Sequence, residues 1–144
     1  MSRNAFSVAV FLVNFEEVLL VKHKRLGLWL PTGGEVEGNE TPLEAARREV
    51  EEETGFKKIV FPRFKNVLDG EPPGFLGYEE HPCGSKGLHM NFNFMAYVPS
   101  RDIVSDGSFT EHQWRKPGDL ILDTAPNVQQ CMIRVQRELM LAKR

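Results

Sequence analysis

Glu49, Glu52 and Glu53 stand at i, i+3 and i+4 in "REVEEETG", close behind Arg47 and Arg48. On a helix turning about 100° per residue, these three side chains share one arc and Glu51 falls on the far side. Like charges at i,i+4 repel, and the helix dipole disfavours anions in the last turns. Two readings account for such a cluster. One is a solvated face, in which Arg48 reaches Glu44 and Glu52 at i±4 and Arg47 reaches Glu51. The other is a cation site. Carboxylate oxygens on a rigid helix suit Mg²⁺ or Mn²⁺, which keep positions open for water and a substrate phosphate. The spacing alone leaves both open.

The helix that must carry them is well marked. Thr41 suits the N-cap, Pro42 the first helical position, and Glu44 the third position of a capping box. The helix is expected from Pro42 to Thr54, with Gly55 as the left-handed residue after it. Leu43, Ala46 and Val50 form its apolar stripe. Upstream, "FSVAVFLV" reads as a buried strand, "NFEE" as a turn and "VLLVKHK" as the hairpin partner. "LGLWLPTGGEVEGNE" reads as a loop with a short strand near Glu35–Glu37. Downstream, "KKIVFPRFKNVL" reads as a strand interrupted by Pro62, and residues 69–87 as a long polar loop. "LHMNFNFMAYV" is an alternating strand with Met90, Phe92, Phe94 and Ala96 on one face. "SFTEHQWRK" is a further strand. A terminal amphipathic helix opens at Asp123 or Thr124, with Pro126 at its start and Val128, Met132, Val135 and Leu139 as its stripe.

The bulk numbers narrow the class. A chain of 144 residues, 41% hydrophobic and 26% charged, fits a single globular domain over 1–144. A net charge of −2 gives no basic surface for nucleic acid. The apolar run from Phe6 to Val13 is too short for a signal peptide, and no segment reaches the roughly 20 apolar residues of a membrane span. Two cysteines, Cys83 and Cys131, are read as free thiols in a reducing cytoplasm.

The stretch "GEVEGNETPLEAARREVEEETGF" from Gly34 to Phe56 resembles the signature of the Nudix hydrolases. Gly34, Glu40, Arg48, Glu49, Val50, Glu52, Glu53, Gly55 and Phe56 fill its specified positions. There are two departures: Asn39 stands where a glycine is common, and Thr32 is inserted in "PTGG". Neither removes a carboxylate. The resemblance implies an α/β/α sandwich around a central mixed β-sheet, with the signature as a loop–helix–loop. It implies Mg²⁺-dependent (or Mn²⁺-dependent) hydrolysis of a nucleoside diphosphate linked to a group X. The substrate is thus a nucleotide or a derivative of one. A nucleoside triphosphate, cleaved to monophosphate and pyrophosphate, is the preferred reading. ADP-ribose or another nucleotide sugar is the enzymatic alternative, and a non-catalytic nucleotide-binding module is a third. Monomer and homodimer both stay open.

The resemblance also suggests roles. Glu49, Glu52 and Glu53 are the expected metal ligands, with the backbone carbonyl near Gly33. The general base is expected to be one of the glutamates or an acidic residue on a later loop. Glu111, three residues before Trp114, is the choice among the latter, with Glu79 and Glu80 as rivals. Arg48 is expected to hold the glutamates in position, and Glu40 to orient the loop. Lys22 and Arg25 are candidates for steering phosphates, against solvated strand-end charges. His81, Cys83 and His89 offer zinc-ligand types but lack paired spacing. His81 or His89 touching substrate is the preferred alternative. Phe6, Phe92 and Phe94 are either a stacking wall or core.

Overall fold

The computed structural model describes residues 4–65, 67–84, 87–119 and 123–143. Its central strand is β1 (Ala5–Asn14), which turns at Phe15 and Glu16 into β2 (Glu17–His23). Both turn residues have positive φ, 47° and 66°, as a two-residue type I′ hairpin requires. Arg101 braces this corner, donating from Nε to Asn14 Oδ1 and from Nη2 to the Asn14 carbonyl, each at 2.9 Å.

Two short strands follow, β3 (Trp29–Leu30) and β4 (Thr32–Glu35), and then helix α1 (Pro42–Thr54). Next come β5 (Phe75–Pro82), β6 (Leu88–Tyr97), β7 (Phe109–Arg115) and helix α2 (Pro126–Ala142). The strands form one sheet in the order β3-β2-β1-β6-β5, with β4 on β1 and β7 on β2. The β1–β6 pair is parallel, from Ala5 opposite His89 to Val13 opposite Tyr97. The other strand pairs are antiparallel, so the sheet is mixed, as expected.

The period of two along β1 and β6 divides the core. Val8, Val10 and Leu12 with Phe94 and Ala96 face Ala45, Ala46 and Val50 of α1. Phe11, Val13, Leu20 and Met95 face Val128, Met132 and Val135 of α2. The result is a helix on each face of a shared sheet. Helix α1 starts with the expected capping box between Thr41 and Glu44 and stops at Gly55, whose φ is +81°.

Four expectations are corrected. The short strand is Thr32–Glu35 rather than 35–37, because its register is set by pairing with residues 7–10 of β1. Among the described residues of 57–68, pairing is limited to a bridge between Val60 and Tyr97. This segment is pinned by burial of Ile59 and Phe61, not by a ladder. The supposed loop 69–87 contains β5, which pairs antiparallel with β6 across a bulge between Phe75 and Gly77. Finally, the N-cap of α2 is Ala125, with no side-chain cap. Asp123 instead accepts at its carbonyl from the Trp29 N–H, and Thr124 Oγ1 accepts from Gln129.

Candidate active site

Helix α1 lies over β4, and the edge of β4 explains why. Val36 N–H bonds the Phe6 carbonyl of β1. By the alternation of an antiparallel ladder, Gly33 and Glu35 then turn their backbone polar groups away from β1. The Gly33 N–H donates to Glu53 Oε1 at 2.8 Å, and the Glu35 carbonyl accepts from Arg48 Nη2 at 3.0 Å. Glycine is needed beside these contacts. A Cβ on Gly34 would fall 2.4 Å from the Glu49 carboxyl carbon, so that carboxylate occupies the space a side chain would take.

Arg48 is the hub. Its Nε donates to Glu40 Oε2 at 2.7 Å and its Nη2 to Glu40 Oε1 at 3.0 Å, a two-pronged grip. Its Nη1 donates to Glu49 Oε1 at 2.9 Å and to Glu52 Oε2 at 3.3 Å. Glu40 also accepts from the Glu37 N–H at 2.9 Å, so it fixes the loop that enters the helix. Two pairs allowed by spacing are not made. Glu44 is committed to the Thr41 N–H, and Arg47 lies over the Phe61 ring and donates to the Ile59 carbonyl. Glu51 is exposed, as the helical wheel requires.

The electrostatics follow from burial. Desolvation pushes the Glu53 carboxyl up to about 8, against the Gly33 N–H, with further upward pressure from Glu49 and Asp106. Burial also raises Glu49, and Glu52 and Glu37 add to it, although Arg48 pulls the other way. Glu52 is more than half exposed. Among the described residues, Glu53 Oε2 is met by Ser108 Oγ, in a long contact at 3.5 Å. Ser108 and Asp106 were not foreseen from the sequence. They come from the turn "SDGS", where Asp106 Oδ1 accepts from the Ser108 N–H at 2.9 Å.

Other expected residues lie elsewhere. Glu111 is exposed on β7, and its ionic partner is Lys22 at 3.6 Å rather than a residue of α1. Lys22 also sits 6.0 Å from the Trp29 ring, and Arg25 is exposed in the turn after β2. His81 and His89 are cross-strand partners on β5 and β6. His81 Nδ1 lies 2.5 Å from Glu79 Oε1, and His89 Nε2 lies 3.4 Å from Glu35 Oε2. Glu80 accepts from the Tyr78 hydroxyl. Phe94 is fully buried, whereas Phe6 is half exposed and packs on Phe92 with centroids 5.8 Å apart. Both cysteines are free.

Among the described residues, no group of three His, Cys, Asp or Glu side chains, Glu49, Glu52 and Glu53 included, is gathered closely enough to hold a metal ion as it stands. Around Arg48 the arrangement holds Glu49 and Glu52 on one guanidinium nitrogen and Glu53 on β4. Such a constellation supplies hard oxygen donors and a partly dehydrated carboxylate beside the Gly33 N–H.

The family model of the NUDIX domain matches residues 3–136. A Bacillus subtilis (strain 168) protein named "Putative 8-oxo-dGTP diphosphatase" is 30% identical over 113 residues, 78% of this chain. The chain spans 66% of that relative's length. A NUDIX-family hydrolase from Clostridium perfringens superposes with a TM-score of 0.79 at 26% identity, covering 97% of this chain and 99% of that one. A MutT NUDIX hydrolase from Burkholderia pseudomallei, at 21% identity and a TM-score of 0.73, shares the fold over 93% of this chain and 99% of its own. Among the described residues, no helix is long and apolar enough to cross a membrane.

Proposed function

The chain belongs to the Nudix hydrolase family, and from that premise we propose that it hydrolyses nucleoside triphosphates to monophosphate and pyrophosphate in a reaction dependent on Mg²⁺ or Mn²⁺. The observation that carries this reading is the Arg48 hub, which gathers Glu40, Glu49 and Glu52 while Glu53 is fixed on the Gly33 N–H. The name of the Bacillus subtilis relative, a diphosphatase, supports the substrate class.

The donor types fit a divalent cation, whose binding would draw Glu49, Glu52 and Glu53 closer together than they stand. Glu49 and Glu53 are raised by burial and by neighbouring acids, a cost that a bound cation removes. Glu49, Glu52 and Glu53 would hold it, and the Gly33 carbonyl, on the outward edge of β4, is the backbone donor available. When bound, such an ion neutralises diphosphate charge and polarises the attacked phosphorus. Glu53 Oε1 is committed to the Gly33 N–H, which leaves Oε2 to take the proton of an attacking water. Arg48 acts through the glutamates rather than on the substrate, since its donors are already engaged. Glu40 locks Arg48 and the entering loop together.

Glu52→Gln and Glu53→Gln each keep the shape of the side chain. Each is expected to lower cation-dependent phosphate release by at least about 10²-fold while leaving the melting curve cooperative. The assay uses a panel of deoxynucleoside triphosphates, ADP-ribose and a nucleotide sugar. Full activity in both variants would remove the glutamates from the chemistry. Activity confined to ADP-ribose or the sugar would replace the substrate reading.

A further inference from the structure

On the α2 side of the sheet, opposite the glutamate helix, lies a row of polar side chains that the hydrolytic site does not use. Ser7 of β1 and Asn91 and Asn93 of β6 are buried, at 4%, 4% and 2% exposure, on the face whose apolar cluster packs under α2. Ser7 Oγ donates to Asn91 Oδ1 at 2.8 Å. Asn91 and Asn93 both donate to Glu79 Oε2, at 2.8 and 2.7 Å. His81 holds the other oxygen of Glu79. Burying polar groups on a sheet floor is costly unless all are satisfied, and here they are satisfied by converging on one carboxylate. Burial works to raise the Glu79 carboxyl, but the bonds from Asn91, His81 and Asn93 outweigh it and keep the group ionised.

The outward groups of this row are acceptors. Each carboxylate oxygen has two acceptor positions. Glu79 Oε2 is filled by two amides, while Oε1 takes only His81 and keeps one position. In its neutral form, a His81 ring that gives its Nδ1–H to Glu79 presents Nε2 as a second acceptor, and it is this form that the reading requires. Glu79 and His81 remain 28% and 37% exposed, so the row is open to a ligand. Its negative charge makes it unsuitable for phosphates. Yet it begins next to the hydrolytic site. Ser7 pairs with Glu35, whose carbonyl holds Arg48 and whose carboxylate contacts His89. From β4 across β1 and β6 to β5 is three strand spacings, about 14 Å, the scale of a nucleotide laid across the sheet.

We propose that Glu79 and His81, set on the Asn91–Asn93 floor, read the base of the substrate by accepting from adjacent N–H donors, which among the common bases is the N1–H and N2–H₂ edge of guanine. This rests on the nucleotide-hydrolase reading but is tested apart from it, by product binding. Wild-type protein, Glu79→Gln and His81→Ala are titrated calorimetrically with GMP, IMP and AMP. Wild type is expected to bind GMP at least about tenfold more tightly than AMP, with IMP, which lacks the 2-amino donors, in between. Glu79→Gln should erase that ranking. His81→Ala, a change at a partly exposed ring that leaves the buried amides in place, should weaken GMP by several-fold with its melting temperature unchanged. Equal affinity of the wild type for GMP and AMP, absence of binding of any of them, or an intact preference in both variants would overturn the assignment. A guanine preference in a protein that releases no pyrophosphate would instead count against the hydrolytic reading and leave this one standing.

Discussion

Glu53 carries the sharpest consequence at the scale of single residues. Burial pushes its carboxyl from the ordinary 4.5 up to about 8, and Glu49 is displaced the same way. Between those two pH values the folded protein holds a proton that the unfolded chain has released. Stability without a cation therefore falls as pH rises through that window, by about 1.4 kcal/mol per pH unit for one such group. A divalent cation favours the ionised form and should offset the loss. Melting temperatures in EDTA are expected to drop from pH 5.5 to pH 8, and Mg²⁺ should recover more of the loss at pH 8 than at pH 5.5. Glu53→Gln should flatten the EDTA profile. A wild-type profile in EDTA that is already flat would show that Glu53 is not dehydrated by its place on β4. The same residue illustrates what spacing conveys. Helical periodicity brings Glu49, Glu52 and Glu53 onto one arc, but not the Gly33 N–H or Asp106, since both arrive through tertiary contacts.

At the scale of elements, α1 was legible because its boundaries are set locally. Thr41 accepts from the Glu44 N–H, and Glu44 returns the bond to the Thr41 N–H. Thr41→Ala removes the cap and is expected to cost about 1 kcal/mol, read from urea midpoints at unchanged slope. Because Glu40 lies one residue before the cap and grips Arg48, the same variant should also lower turnover. A stability loss with turnover unchanged would mean the hub holds its geometry without the helix start. Strand β5 was not legible, because its polar alternation and Gly77 make sense only against β6. With that partner absent from view, "GFLGYEEHPCG" has the composition of a loop. The segment 57–68 failed in the opposite direction. Ile59, Val60 and Phe61 have strand propensity, but Pro62 lacks an N–H and its carbonyl is taken by Gly74, so the chain packs without extending a ladder. Asn91 and Asn93 could have been found, since they alternate with Phe92 and Phe94 and must face the other side of the sheet.

At the scale of the whole molecule, the two helices share one sheet but do not share a core. The glutamates belong to the α1 face, and α2 covers the other. A defect under α2 should therefore act on stability and leave the hydrolytic machinery intact while the protein is folded. Met132 is fully buried against Phe11, Leu20 and Met95, whereas its neighbour Ile133 is mostly exposed. Met132→Ala is expected to cost about 2–5 kcal/mol, and Ile133→Ala no more than about 0.5. The measurement that separates faces is kcat at a temperature well below the lowered melting point. For Met132→Ala it should match the wild type, because Met132 belongs to the cluster under α2 and, among the described residues, Arg48 and its glutamate partners do not. A kcat that falls with stability at such a temperature would show that strain crosses the sheet through β1. Strands β1, β2 and β6 supply side chains to both clusters, and of these β1 is the one whose backbone pairs with β4, so it is the route by which the two faces would be coupled.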